Sequence, residues 1–420
     1  MPITTIMQLG EARFRSPIPS MSSGDLFVPA DLAWSGGEVP PDLLLFEKAG
    51  PRERLFFDPA RTRAAIVTCG GLCPGLNNVI RSVTRELSRG YGVQALLGIR
   101  DGYMGLDPSR GRPPLELTEA MVEDIHRAGG TLLGTSRGPV DIARAVDFLV
   151  GSQVNILFTV GGDGTQRGGH ALFEEARRRG HPLAVVGIPK TIDNDVRFVS
   201  RSFGFVTAVS EAVRVLDGAH TEARSVRNGV ALVKLMGRNA GFIAAAAAVA
   251  SQDVNFCLLP EVPVTLHGPD GLLAALERRL AHKSHALVVA AEGAGQELLG
   301  ASSDKDASGN VKLRDVGHFL RDAISAHFQA RGVDMTLRYF DPSYQIRARP
   351  ANPEDALLCD RLARHAVHAA MSGRTGLVVS FLHGQFVHVP IELITQGSKR
   401  VDLSGELYRA LQSSISPAHG

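Results

Sequence analysis

Between residues 63 and 190 the apolar positions fall in short unbroken runs, with polar residues gathered between them. "AAIVTC" (64–69), "VQALLGI" (93–99), "NILFTV" (155–160) and "LAVVGI" (183–188) show no polar–apolar alternation. A strand wetted on one face alternates, whereas a strand covered on both faces does not, so these runs predict parallel strands in a buried sheet. The intervening "LNNVIRSVTRELSR" (76–89) and "GHALFEEARRR" (169–179) place apolar residues at helical spacing. Strand and helix in turn make βαβ units. After residue 205 the pattern resumes. "TAVSEAVRVLDGAHTEA" predicts a helix, "VALVKLM" (230–236) a strand and "NAGFIAAAAAVAS" a helix, and "FCLLPE", "GLLAALERRLAHK", "HALVVAAEG" and "VGHFLRDAISAHFQARG" continue it. The expected fold class is α/β: two three-layer, Rossmann-like α/β/α lobes with mainly parallel sheets and a cleft between them.

Two stretches break the pattern. Residues 1–60 are proline-rich and lack periodicity, which predicts an extension, with local order at "LFFDP" (55–59). The polar stretch 299–310 reads as a surface insertion. No repeat and no low-complexity tract is evident.

Composition narrows the function classes. The chain has 420 residues, 44% of them hydrophobic, and a formal net charge of +2, which argues against nucleic acid or an anionic membrane as the main partner. The first residues carry Glu11 where a signal peptide would need an apolar core, and the apolar run 241–250 is half the length of a membrane span, so a cytoplasmic protein is expected. The four cysteines include no CxxC pair and read as buried thiols.

In doubly wound sheets ligands bind beyond the carboxyl ends of the strands, so chemistry is sought at the strand exits. The first exit, "CGGLCPGLNNVIR", places Gly70, Gly71 and Gly75 ahead of a helix, where free N–H groups suit a phosphate; packing alone could also explain it. The third, "TVGGDGTQRGG", surrounds Asp163 with Gly161, Gly162 and Gly164, open to a polyanion and supplying one carboxylate for Mg²⁺. The fourth, "GIPKTIDND", brings Lys190, Thr191, Asp193, Asn194 and Asp195 just past a buried strand. One carboxylate can help hold a phosphate-bound metal while another takes the proton of an attacking hydroxyl. Arg137, Arg238, Arg338 and Arg347 are candidates for a substrate's own anionic group, since guanidinium binds phosphate bidentately.

With "LGTSRG", "VKLMGRNAGF", "LLPE", "AAEGAGQ" and "DPSYQIRA", these motifs resemble the 6-phosphofructokinase family, in order from about residue 53 to about 395. The resemblance is nearest to its ATP-dependent branch found in plants, protists and some bacteria. It implies transfer of the γ-phosphoryl of ATP to the 1-hydroxyl of fructose 6-phosphate. Carried over, Asp193 is the general base, with Arg238, Lys190 and Thr191 beside it in the catalytic set. Asp163 is the magnesium ligand, and Gly71, Arg137, Gly138, Gly162, Gly164 and Thr165 contact the nucleotide. Thr191, Ile192, Met236, Gly237, Arg238 and Glu292 contact the sugar phosphate. Arg338, Tyr344, Gln345, Ile346 and Arg347 form the 6-phosphate pocket, partly built by a neighbouring subunit, so a homo-oligomer (dimer or tetramer) is expected. The implied lobes are 61–204 with about 346–396 for the nucleotide, and 205–345 with about 397–420 for the sugar phosphate.

Gly164 and Lys190 decide the donor. Pyrophosphate users resemble "GGDD" with "PKTIDND", and typical bacterial ATP users resemble "GGDG" with "PGTIDND". Here Gly164 leaves room for an α-phosphate, which favours ATP over pyrophosphate. Three positions depart from family patterns: Gly229 stands for an arginine, Tyr344 for a histidine and Val206 for an aspartate. The motif "GGDGT" also occurs in NAD and lipid kinases, which lack the other motifs, and a catalytically silent sugar-phosphate sensor would have no need of both Asp163 and Asp193.

Overall fold

The computed structural model describes residues 2–19, 26–34, 36–300, 304 and 311–415. Most of the stretch 299–310, read above as an insertion, lies outside the described residues. The chain divides into two compact units. One comprises Met1–Thr191, Val196–Gly204 and Ala348–Ser398, the other Ile192–Asp195, Phe205–Arg347 and Lys399–Gly420.

The first unit is built on a nine-stranded sheet in the order Phe27–Pro29, Leu45–Lys48, Gln385–Pro390, Leu377–Leu382, Ala184–Pro189, Ile156–Gly161, Arg63–Thr68, Ala95–Ile99, Leu115–Glu116. The five strands from Leu377–Leu382 to Ala95–Ile99 run parallel. The remaining pairings are antiparallel. Unbroken apolar runs form these central strands because both faces are covered. Ala65, Val67, Leu157 and Val185 pack on Ala145, Val146 and Leu149 of the helix Ile142–Gly151 and Leu172, Phe173 and Ala176 of the helix Asp163–Arg178. The opposite parity, Ala64, Ile66, Ile156, Phe158, Ala184 and Val186, is equally buried, on the side where the helices Leu76–Arg85 and Pro353–Met371 pack together. Phe158→Ala would cost about 3–5 kcal/mol.

Residues 1–60, expected as an extension, supply two edge strands and bury Val28, Ala30, Leu43 and Phe46 against Val387, Val389 and Ile391. These strands are three and four residues long, too short for a period to register.

The second unit has a four-stranded, wholly parallel sheet in the order Phe256–Leu258, His285–Ala291, Gly229–Leu235, Thr336–Phe340. Val230, Leu232, Ala286, Val288 and Ala290 face the helices Leu272–Lys283 and Val316–Ala330. The helices Phe205–Arg224 and Phe242–Ser251 pack against the sheet and against each other. The second helix is nearly all alanine, which permits that close approach.

Candidate active site

The strands Ala184–Pro189, Ile156–Gly161 and Arg63–Thr68 are adjacent and parallel, with Pro189 opposite Gly161 and Thr68 opposite Val160. Their exits therefore open on one sheet edge. Lys190 ties them together: its N–H donates to the Gly161 carbonyl at 3.0 Å, and its Nζ donates to the Gly71 carbonyl at 2.8 Å. The side chain is buried, so the ammonium is held at the glycine turns. Gly70 has φ +86°, a region side chains avoid, and a Cβ there would stand 3.1 Å from Lys190 Nζ.

The turn at 134–138 joins the same edge. Ser136 accepts at its carbonyl from the Gly70 N–H at 3.1 Å, and Thr135 Oγ1 donates to the Gly70 carbonyl at 2.6 Å. Arg137 and Gly138, next along this turn, are exposed. Asp163 is the first residue of the helix Asp163–Arg178, whose cap residue Gly162 makes no side-chain cap bond. Early N–H groups of a helix lack intrahelical partners, and the dipole makes this end positive. Thr165 is buried, while a Cβ on Gly164 would meet only Arg167 Nη2, at 4.0 Å. The space over Gly164 is open.

Two residues that brace this loop escaped the sequence reading. Tyr103 donates its hydroxyl to the Thr165 carbonyl at 2.6 Å, from a segment with no motif of its own. Gln166 Nε2 donates to the Gly161 carbonyl at 3.0 Å; it lies inside a quoted motif, but nothing local marks it as a brace. Burial pushes the nearby Cys69 thiol up to about 12, which makes it an inert packing group. Thr191 is buried, and its carbonyl accepts from Ser202 Oγ at 2.6 Å.

The sugar-phosphate candidates lie in the second unit, where the exits of four parallel strands share an edge. Met236, Gly237 and Arg238 follow one strand and Glu292 follows its neighbour. Arg238 adopts φ +47°, and its N–H donates to Glu292 Oε1 at 2.9 Å. Gly293 is obligatory here, because a Cβ would stand 1.8 Å from the Arg238 carbonyl oxygen. One further carboxylate, Glu261, was missed: Oε1 accepts from the Gly241 N–H and from the Val401 N–H, each at 2.9 Å.

Asp193 is half-buried in the segment Ile192–Asp195. The Asp195 carbonyl accepts from the Lys399 N–H at 2.6 Å. Lys399 Nζ stands 5.0 Å from the Phe242 ring centroid, and burial, opposed by the charge of Asp195, brings its pKa down to about 8. Arg338 is exposed, 3.8 Å from Glu222. Tyr344 is 73% exposed, with the Arg347 guanidinium 4.5 Å from its ring centroid. Gln345 is exposed too. Ile192 and Ile346 are buried, so their side chains serve packing and only their backbones could face a ligand.

Among the departures, Gly229 has a steric cause, since a Cβ there would lie 2.1 Å from the Ala223 carbonyl oxygen. Val206 is half-buried in the first turn of the helix Phe205–Arg224; nothing in the structure explains its replacing an aspartate.

Known proteins share this construction. A phosphofructokinase family model matches residues 63–370. A Borreliella burgdorferi protein named ATP-dependent 6-phosphofructokinase is 48% identical over 378 residues, covering 88% of this chain and 85% of that protein. The Arabidopsis thaliana protein named ATP-dependent 6-phosphofructokinase 7 is 47% identical over 372 residues, covering 88% and 76%. The crystal structure of a pyrophosphate-dependent phosphofructokinase from Marinobacter aquaeolei superposes with a TM-score of 0.69 at 20% identity, covering 85% of this chain and 92% of that one. At that identity the likeness speaks for the fold. Fold and relatives together define the class, an α/β phosphotransferase. The chain belongs to the phosphofructokinase family.

Proposed function

We propose that this protein is an ATP-dependent 6-phosphofructokinase. It transfers the γ-phosphoryl of Mg-ATP to the 1-hydroxyl of fructose 6-phosphate, giving fructose 1,6-bisphosphate and ADP. The observation that carries the reading is the gathering of Gly71, Gly162–Gly164 and Lys190 on one sheet edge, with open space over Gly164. Two glycine turns, a helix N-terminus and a fixed ammonium suit a triphosphate, and the relatives named above are ATP-dependent. The same turns could accept pyrophosphate, but an aspartate at 164 would then be expected.

The donor set around Asp163 fits magnesium. Among the described residues no group of three or more His, Cys, Asp or Glu could hold a metal by itself, and magnesium prefers one or two carboxylates, substrate phosphates and water. Asp163 would hold the ion, which when bound neutralises charge on the transferring phosphoryl. Lys190 places its positive charge against the polyphosphate, and Arg137, Gly138 and Thr165 complete the donor contacts. Asp193 takes the proton from the attacking 1-hydroxyl. Arg238 stabilises charge developing on the phosphoryl group, and Thr191, Met236, Gly237 and Glu292 orient the sugar. Arg338 and Tyr344–Arg347 receive the 6-phosphate. The enzyme acts in the cytoplasm as a homo-oligomer, a dimer or tetramer. Among the described residues no helix is long and apolar enough to cross a membrane.

Phosphorus NMR of protein, Mg-ATP and fructose 6-phosphate tests this. A new 1-phosphate monoester should appear in step with ADP. ATP hydrolysis without sugar phosphorylation, or no turnover, would refute the proposal.

A further inference from the structure

We propose that His220 and His285 form a binding site for one divalent transition-metal ion of the zinc type, away from the candidate active site. His220 lies near the end of the helix Phe205–Arg224, and His285 opens the strand His285–Ala291. Their Nε2 atoms face each other at 3.3 Å. The other ring nitrogens are committed. His220 Nδ1 is 3.0 Å from Asp253 Oδ2, and His285 Nδ1 is 2.9 Å from the Lys283 carbonyl oxygen.

A carbonyl can only accept a hydrogen bond, and so can an ionised carboxylate, so each Nδ1 carries the proton. A neutral imidazole has a single N–H, which leaves a lone pair on each Nε2. Two facing lone pairs need a positive species between them. A proton would make one ring an imidazolium, yet burial, with Arg279, His220 and Arg224 around it, already lowers the pKa of His285. A metal ion uses both lone pairs as they stand. Zn–N bonds of about 2.0–2.1 Å at the tetrahedral angle set two ligand nitrogens roughly 3.3 Å apart.

The partners on the far side of each ring favour the same reading. Carboxylates and carbonyls that accept from Nδ1 fix the tautomer and make Nε2 a better ligand. Imidazole suits zinc, copper and nickel rather than magnesium. Among the described residues no third His, Cys, Asp or Glu completes the shell, so water fills the other positions and the ion exchanges. His285 begins the strand that ends before Glu292, which puts the ion roughly 20 Å from that turn. It would clamp the end of the helix Phe205–Arg224 to the start of a core strand.

The test is calorimetric titration of the metal-free, full-length protein with Zn²⁺, repeated with Co²⁺ and read by visible absorption. One ion per chain should bind, and cobalt should show the strong visible bands of a low-coordinate site. His220→Gln or His285→Gln should each weaken binding at least 10-fold, Asp253→Asn roughly 10-fold, and His282→Gln at the exposed neighbour not at all. Wild-type protein gives a readout free of any folding defect: zinc should raise Tm by roughly 5 °C at saturation and magnesium should not. No zinc uptake, no change in Tm, or unchanged stoichiometry in the double variant would overturn the site. So would a proton found between the two Nε2 atoms in zinc-treated protein.

Discussion

Lys190 illustrates how much one residue can carry. It spans two glycine turns through its own N–H and its ammonium, and its place after an unbroken apolar run made it visible in the sequence. Asp163 and Asp193 were legible for the same reason. Tyr103 was not, because its hydroxyl reaches the Thr165 carbonyl from 62 residues away and only the folded chain brings them together. Asp193→Ser should lower kcat by ~10²–10⁴ while Mg-ATP binding persists. Steady-state kinetics with nucleotide titration checks both, and near-normal turnover would remove Asp193 as the base. Gly164→Asp should lower kcat/KM for ATP at least 10-fold with little change in Tm, because the Cβ meets open space.

At the scale of elements, the parallel central strands were readable because burial on both faces erases alternation. The short edge strands within residues 1–60 were not, since their burial depends on partners near residues 385–391. The turn after Gly229–Leu235 shows a similar divide. Its motif was plain, but its support by Glu292, Glu261 and a glycine at 293 is tertiary. Gly293→Ala should displace the Arg238 backbone, raising KM for fructose 6-phosphate more than KM for ATP. Equal effects on both would contradict the assignment of this turn to the sugar. Glu261→Gln keeps one acceptor oxygen but loses the charge, whereas Glu261→Ala leaves two N–H groups without their acceptor. The alanine variant should lose about 1–3 kcal/mol more, measured by urea unfolding.

For the whole molecule, stability should depend on pH through a buried histidine group in the first unit. Burial brings His365 down to about 3 and His368 down to about 4, and also lowers His388 despite its bond to Glu47. Below the usual pKa near 6.5 the unfolded chain takes up protons that the folded chain refuses. The stabilisation present above that pH is therefore lost as pH falls toward 4, by up to about 1.4 kcal/mol per pH unit for each histidine. Glu86, whose pKa is raised chiefly by burial, offsets part of this. The urea midpoint should be lower at pH 5 than at pH 7. None of this was legible in the sequence, where these histidines carry no motif and only packing decides their charge.

The most direct test of the account compares donors on the purified protein, with fructose 6-phosphate as acceptor in an assay coupled to fructose 1,6-bisphosphate. The account predicts a kcat/KM for Mg-ATP at least 10-fold above that for pyrophosphate. A higher value with pyrophosphate, or no fructose 1,6-bisphosphate from either donor, would contradict it.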